Sequence, residues 1–345
     1  MTATPKVYIV LLNYRNWEDT VECLESIFRL EYANFQVVVV DNASGNESSH
    51  CVVEWAKGQR TIEFTPPEQL QQFVQPAIDK PIETEVINAT VLSESLPQTD
   101  APLILLQSNK NRGFAGGNNL ALKWINGQKD GDYIWVLNND TVVTPTALSA
   151  LVNHFESSDN QLGMLGSKLR YYHFPEKLQA VGGQLHLWTA SLKQLGDGEI
   201  DTGQYDQSTP ALDYVIGAAM FISHKTLAKV GLLSEDYFLY FEELDWCTRI
   251  KRSGMRLGFE PNSVVYHKQG AITQSSGEQK HLHLRFMFFK FRNTLLFYKK
   301  FFPGLMVPAY LKITGRILKG AILHNRHYLR LLLPVLTLSK NNDWQ

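Results

Sequence analysis

The chain has 345 residues, 44% of them hydrophobic, with a formal net charge of −1, which suits one large domain or a domain with an appendage. Its three cysteines, Cys23, Cys51 and Cys247, are too few for a disulfide framework, and their spacings match no zinc site; a reducing cytosol is the simplest setting. The charge is lopsided: from Lys280 to Gln345 twelve Lys and Arg stand against one acid, Asp343, so this stretch carries +11 and the remainder −12. Such asymmetry predicts a basic tail that meets something anionic.

Lys6 to Asn13 reads as a buried strand rather than a signal peptide, since no basic region, long apolar stretch and small cleavage residues follow one another there. Glu18 to Leu30 has helical spacing at Val21, Leu24, Ile27 and Phe28. Phe35 to Asp41 is a second strand and Ser49 to Lys57 a helix. Leu103 to Gln107 is a third strand, followed by a helix over Gly117 to Ile125. Tyr133 to Leu137 is a fourth strand and Thr144 to Phe155 a helix. This alternation predicts a mostly parallel sheet flanked by helices. Residues 61–102, rich in Pro, Gln, Glu and Thr without a sustained period, read as a loosely packed or partly disordered insertion to which no chemistry is assigned. Further on, short strands are expected over Gly163 to Tyr171 and Gly183 to Ala190. A central apolar strand is expected over Tyr214 to Ile222, a helix over Phe241 to Ser253 with Gly254 as its stop, and a last strand over Arg256 to His267.

Four strand ends carry polar residues: Asn13-Tyr14, Asp41-Asn42-Ala43-Ser44, Ser108 to Gly113, and Asn138-Asn139-Asp140. In a parallel sheet those ends lie along one edge, where α/β folds bind ligands. Asp and Asn there can read a base or ribose, Tyr14 can stack on a base, and Asp140 can hold a hard divalent cation against a diphosphate. Any one of these sites alone reads more readily as a helix N-cap, and it is the four together that favour a nucleotide pocket. Gly113-Phe-Ala-Gly-Gly-Asn-Asn119 is glycine-rich after a strand, which lets backbone approach a ligand closely. It is neither a dinucleotide fingerprint nor a phosphate-binding P-loop, which disfavours a dehydrogenase or ATPase. Glu242, Glu243 and Asp245 begin a helix, where acids complement the helix dipole and where a carboxylate in a cleft can also serve as a general base. His267 ends the last strand as a metal-competent imidazole.

Together these stretches resemble family 2 inverting glycosyltransferases of the GT-A fold, in particular the rhamnosyltransferase-like branch. The resemblance rests on Val10 to Tyr14, Val38 to Ser44, Asn109 to Asn119, Trp135 to Asp140, Val215 to Ala219, Phe238 to Trp246 and Val264 to His267, in that order. It implies a domain over 1–279 that moves a sugar, rhamnose in that branch, from a dTDP- or UDP-sugar to a glycan or lipid-linked acceptor. The sugar nucleotide would be held by Asn13, Tyr14, Asp41, Asn42 and Ser44, by Asn109, Asn111, Gly113, Phe114 and Asn118, and by Asn139. It implies a Mg²⁺ or Mn²⁺ ion on Asp140 and His267. Glu243 would be the base, with Glu242 beside it and Asp245 orienting the acceptor or capping the helix. Three positions depart from the family pattern: Asn138 replaces the first Asp of the metal motif, Glu243 stands where Asp is commoner, and Asn46 replaces an acid often found after Ser44. A nucleotidyltransferase is the rival enzyme, although it would want an Arg- or Lys-bearing glycine loop after the first strand. A degenerate sugar-nucleotide-binding subunit is the rival non-enzyme.

Residues 280–345 form a helical, basic extension. Lys312, Arg316 and Lys319 interrupt the apolar stretch Pro303 to Leu323 at helical spacing, which disfavours a transmembrane span and predicts an amphipathic helix on an anionic bilayer. The competing expectation is a helical pair packed on the core with its basic face in water. No nucleic-acid recognition motif is present. The expected location is the cytoplasm, peripheral on the inner face of the membrane.

Overall fold

The computed structural model describes residues 4–89, 97–208, 210–269, 279–323 and 326–339. In chain order β1 (Val7–Asn13), α1 (Trp17–Ile27), β2 (Phe35–Asp41), α2 (Ser48–Ala56), α3 (Glu68–Val74), β3 (Thr84–Asn88), β4 (Leu103–Gln107), α4 (Gly113–Gln128) and β5 (Tyr133–Asn138) form the first half. Then come β6 (Thr141–Val143), α5 (Ala147–Ser157), β7 (Leu162–Tyr171), β8 (Leu178–Ala180), β9 (Gly183–His186), β10 (Ser191–Gln194), β11 (Ala219–Ser223), α6 (His224–Val230), α7 (Glu242–Arg252) and β12 (Arg256–His267). Helices α8 (Gln279–Phe301), α9 (Met306–Leu323) and α10 (Leu332–Leu336) follow.

The main sheet has ten strands in the order β3-β4-β2-β1-β5-β11-β7-β12-β6, with β8 beside β7. From β3 to β5 the neighbours are all parallel. Strand β11 runs antiparallel to β5 and β7 and turns the sheet into its mixed half. The central strands read as unbroken apolar runs because both faces are covered. Tyr8, Val10, Val38 and Val40 point to one side, and Val7, Ile9, Leu11, Val37 and Val39 to the other. The first side is packed by α4, α7, α8 and α9 through residues such as Trp124, Trp246, Phe297 and Ile313. The second is packed by α1, α2 and α5 through Leu24, Trp55 and Leu151. The apolar cluster that begins with Tyr8 thus runs without a break into the C-terminal helices, where Phe288, Leu295, Phe297 and Tyr298 are buried.

Several sequence expectations are corrected. Residues 61–102 contain α3 and the edge strand β3. Neither shows a period in sequence because α3 has only seven residues. On β3 only Ile87 is buried, while backbone pairing to β4 holds the strand. The strand expected over Tyr214 to Ile222 is only Ala219–Ser223; the preceding residues form a turn that carries Gly217 against the Glu243 side chain, at 3.7 Å for a Cβ built there. The segment Gly183 to Ala190 is one arm and the turn of the β9–β10 hairpin.

The glycine-rich stretch from Gly113 is the start of α4. Its glycines serve close approach within the protein. A Cβ on Gly117 would stand 2.5 Å from Leu12 Cδ1, and one on Gly113 only 2.2 Å from the Phe238 carbonyl oxygen. Gly113 also has φ +69°, a left-handed conformation that costs other residues about 1–2 kcal/mol. We expect Gly113→Ala to lower the unfolding free energy by about 2 kcal/mol or more, since backbone cannot yield as a flexible side chain can. A urea titration showing a lower midpoint at unchanged slope would record it; an unmoved midpoint would mean that the two segments do not touch.

Candidate active site

The parallel register places the strand ends in one row. Asn88 stands beside Gln107, Gln107 beside Asp41 and Asp41 beside Asn13, while Leu12 pairs with Asn138. The expectation that four polar strand ends share an edge therefore holds, and β3 adds a fifth.

Most of the asparagines at this edge tie its loops together. Asn13, almost fully buried, donates to Ser44 Oγ at 3.2 Å and accepts from the Asn16 N–H and the Thr20 hydroxyl at 3.3 and 3.2 Å. Asn42 donates to Asn111 Oδ1 and to the Gly113 carbonyl, both at 3.1 Å, and accepts from the Arg112 N–H at 3.0 Å. Asn139 donates to Thr20 Oγ1 at 2.8 Å, and Asn118 to the Phe114 carbonyl at 3.0 Å. Buried polar groups are normally satisfied in this way, so Asn13, Asn42, Asn111 and Asn139 shape the edge, whereas the buried Oδ1 of Asn118 has no partner among the described residues. Gly113 is buried against Phe238, and Phe114 is half-buried beside it.

Other groups face open space. A cavity of about 340 Å³ is lined by Asp41, Ala43, Ser44, Gly45, Asn88, Gln107, Ser108 and Asn109. Asp41 accepts from Ser49 Oγ at 2.6 Å and from the Ser44 N–H at 3.3 Å, which holds its carboxylate at the cavity wall. Ala43 and Gly45 have positive φ, so the β2–α2 turn folds back to form one side. Tyr14 is 42% exposed, with the Arg15 guanidinium 5.2 Å from its ring centre. Asn88 and Gln107 were missed by the sequence reading. Asn88 lies in the supposed insertion, and its only signal is that it ends the run Val86-Ile87.

At the other end of the row β5 and β12 bring Asp140 and His267 together. Asp140 Oδ1 lies 3.1 Å from His267 Nε2, and the Asn138 amide donates towards the same nitrogen at 3.2 Å. His267 Nδ1 is 2.7 Å from Gln179 Oε1 on β8. A proton on Nδ1 would be donated to the Gln179 carbonyl, the arrangement in which Nε2 can serve as a metal ligand. Two cis ligands of an octahedral Mg²⁺, each about 2.1 Å from the ion, lie ~3 Å apart. The observed pair fits that spacing. Among the described residues no third His, Cys, Asp or Glu joins them, so a cation there would draw its remaining ligands from diphosphate and water.

Helix α7 begins with an irregular corner: Tyr240 and Phe241 have φ of 69° and 78°, a conformation that clusters at functional sites when held by non-glycine residues. Asn293 of α8 holds it, donating to the Leu239 and Tyr240 carbonyls at 2.9 and 3.0 Å. Glu242, 4% exposed, follows, and its Oε2 has no hydrogen-bond partner among the described residues. Burial pushes the Glu242 carboxyl well above the ordinary carboxylate range, and the charge of Glu243 adds to this. Burial raises Glu243 too, against backbone N–H groups of the helix start that pull it down. Asp245 is different. Its fully buried carboxylate is taken by Arg249 at 2.7 Å and Lys300 at 2.6 Å, so it pins α8 to α7 and has no free face for an acceptor. Two contacts tie the Glu pair to the strand ends. The Asn138 N–H donates to the Ala218 carbonyl at 2.9 Å, next to the Gly217 that meets Glu243, and the Phe114 N–H donates to the Phe238 carbonyl at 2.8 Å.

Residues 88–191 match the profile described as Glycosyl transferase family 2. The chain is similar to the low-salt glycan biosynthesis hexosyltransferase Agl10 of Haloferax volcanii, 24% identical over 159 residues that make up 44% of this chain and 48% of that protein. It is also similar to the rhamnosyltransferase WbbL of Escherichia coli, 22% identical over 163 residues, 45% of this chain and 60% of that one. The matches thus span about half the length of these relatives. Among solved structures it resembles the mannosyltransferase PcManGT of Pyrobaculum calidifontis in complex with GDP-Man and Mn²⁺, with a TM-score of 0.50, 15% identity, and coverage of 99% of this chain and 83% of that one. The fold is GT-A.

A carboxyl whose pKa is higher folded than unfolded binds its proton more tightly when folded. Stability is therefore lost as pH rises from the ordinary carboxylate range through the folded value. Glu242→Gln should remove much of that loss. Thermal melts from pH 5 to 8 should show the variant falling less steeply than the parent and melting on the order of 2 °C higher at pH 8. Parallel curves would assign the pH sensitivity elsewhere.

Proposed function

We propose that the protein transfers a hexose, rhamnose being the first to test, from a nucleotide-diphosphate sugar to a hydroxyl of a glycan or lipid-linked acceptor, with inversion at the anomeric carbon. The observation that carries this reading is the single row of strand ends. It has a carboxylate-walled cavity at Asp41, the Asp140–His267 pair further along, and the buried Glu pair of α7 joined to both by backbone contacts. The match to the family 2 profile and the nucleotide-sugar complex of the PcManGT structure support it.

In this reading Asp41, with Asn88 and Ser108 near it, takes the base and ribose, and Tyr14 covers the ring. Asp140 and His267 would hold a divalent cation, whose charge stabilises a departing diphosphate. Glu243 takes the proton from the acceptor hydroxyl, and that oxygen then attacks the anomeric carbon from the side opposite the nucleotide. A base works best with a pKa near the working pH, and burial moves Glu243 in that direction. Glu242, with its unpartnered oxygen, stays protonated beside it and so leaves the charge on Glu243. No covalent enzyme intermediate is needed.

Glu243→Gln should retain nucleotide-diphosphate binding by calorimetry and lose transfer by roughly 10² to 10⁴, the usual worth of a general base. Equal loss of binding and rate would move the base elsewhere. Asp140→Ala should abolish transfer and remove the Mn²⁺ dependence of nucleotide binding. Near-normal transfer without added metal would falsify the assignment of Asp140. A panel of sugar nucleotides, scored for transfer against pyrophosphate release, separates this activity from nucleotidyl transfer.

A further inference from the structure

Helix α9 is apolar on two sides. Ala309, Ile313, Ile317 and Gly320 are buried against the core. On another side Val307, Leu311, Leu318 and Ile322 are 70%, 71%, 44% and 82% exposed. At 100° per residue these four fall within an arc of about 60°, and Val307 to Ile322 spans roughly 22 Å of helix. Lys312 and Lys319, both exposed, lie along one border of that arc. Arg316, which the sequence places with them, is turned inward, donating to the Ala190 carbonyl at 3.3 Å. The turns after α9 repeat the composition, with exposed Leu329 and Leu333 beside exposed Arg326 and Arg330. From Gln279 to Ser339 the sequence contains no Asp or Glu.

A row of exposed large aliphatic residues this long is costly in water and marks a contact surface. We propose that this face of α9 is a docking surface for an anionic phospholipid bilayer: the Val307–Leu311–Leu318–Ile322 row enters the acyl boundary, and Lys312, Lys319, Arg326 and Arg330 meet the headgroups. Charge selects this occupant. A second copy of the chain, applied symmetrically, would bring basic borders together with no carboxylate on the segment to pair with them. Among the described residues no helix is long and apolar enough to cross a membrane, which fits a helix lying in the interface plane. The orientation suits a lipid-borne substrate. Helix α9 packs along α8, the turn after α9 brings the Tyr328 hydroxyl 2.5 Å from His283 Nε2 of α8, and α8 also carries the Asn293 that holds the corner before Glu242. The proposal does not depend on the glycosyl-transfer reading, since its test needs no turnover.

The test uses the full chain with vesicles of phosphatidylglycerol and phosphatidylcholine. The parent should sediment with them at low salt, release partly at high salt because the Coulombic share is screened, and bind pure phosphatidylcholine much more weakly. Leu311→Ser combined with Ile322→Ser should lower partitioning roughly tenfold or more, and Lys312→Ala combined with Lys319→Ala should reduce the preference for anionic vesicles. Both variants change exposed positions and should keep the parent's melting temperature. Absence of vesicle binding by the parent, or equal binding by the serine variant, overturns the proposal. So does a concentration-dependent dimer that the serine variant dissolves without any vesicle binding by the parent, which would make the face a homomeric contact.

Discussion

The site depends on one backbone junction. The Phe238 carbonyl accepts the Phe114 N–H and stands where a side chain on residue 113 would have to be. This contact joins the loop after β4, on the cavity side, to the segment that leads into α7 and its two glutamates. Only glycine allows it, both because of the positive φ and because the backbones are in contact. Asn293 then fixes the next two carbonyls from α8. The Glu pair is therefore positioned by two remote parts of the chain at once, the start of α4 and Asn293 of α8, and its left-handed Tyr240 and Phe241 persist because that surrounding structure determines them.

The same edge divides its polar residues into two kinds. Asn13, Asn42 and Asn139 have their hydrogen-bonding capacity used by neighbouring loops, and they make the row of strand ends rigid. Asp41, Asn88, Ser108 and Asn109 keep surface on a cavity. Rigid support behind a set of open groups is what a binding site needs, since a loosely held ligand group loses its geometric advantage.

Helix α7 treats its acids in opposite ways. Asp245 has Arg249 and Lys300 within hydrogen-bonding distance, so its fully buried carboxylate is paired with two cations. Glu242 is nearly as buried, has an oxygen without a partner among the described residues and has Glu243 for a neighbour, so its carboxyl is pushed well above the ordinary carboxylate range. The difference arises from α8, which supplies a lysine to one acid and an asparagine to the carbonyls before the others. A segment that reads in sequence as a basic appendage is thus part of the framework around the Glu pair, while the helix after it turns a second apolar face outward.

The sequence by itself determined the alternation of strands and helices, the parallel half of the sheet and the convergence of Asn13, Asp41, Asn109 and Asp140 at one edge. Strand periodicity and chain direction fix these without knowledge of neighbours. It also singled out Asp140 and His267, because metal-competent side chains ending strands are visible in one dimension. Only the tertiary structure decided which polar residues are supports and which are open, because that depends on partners remote in sequence, such as Gly113 for Asn42 and Lys300 for Asp245. It alone revealed Asn88, whose edge strand is held by backbone pairing and so leaves almost no side-chain signal. It also divided Lys312 and Lys319 from Arg316, since helical spacing gives a residue's side of the helix but not which sides the core will cover.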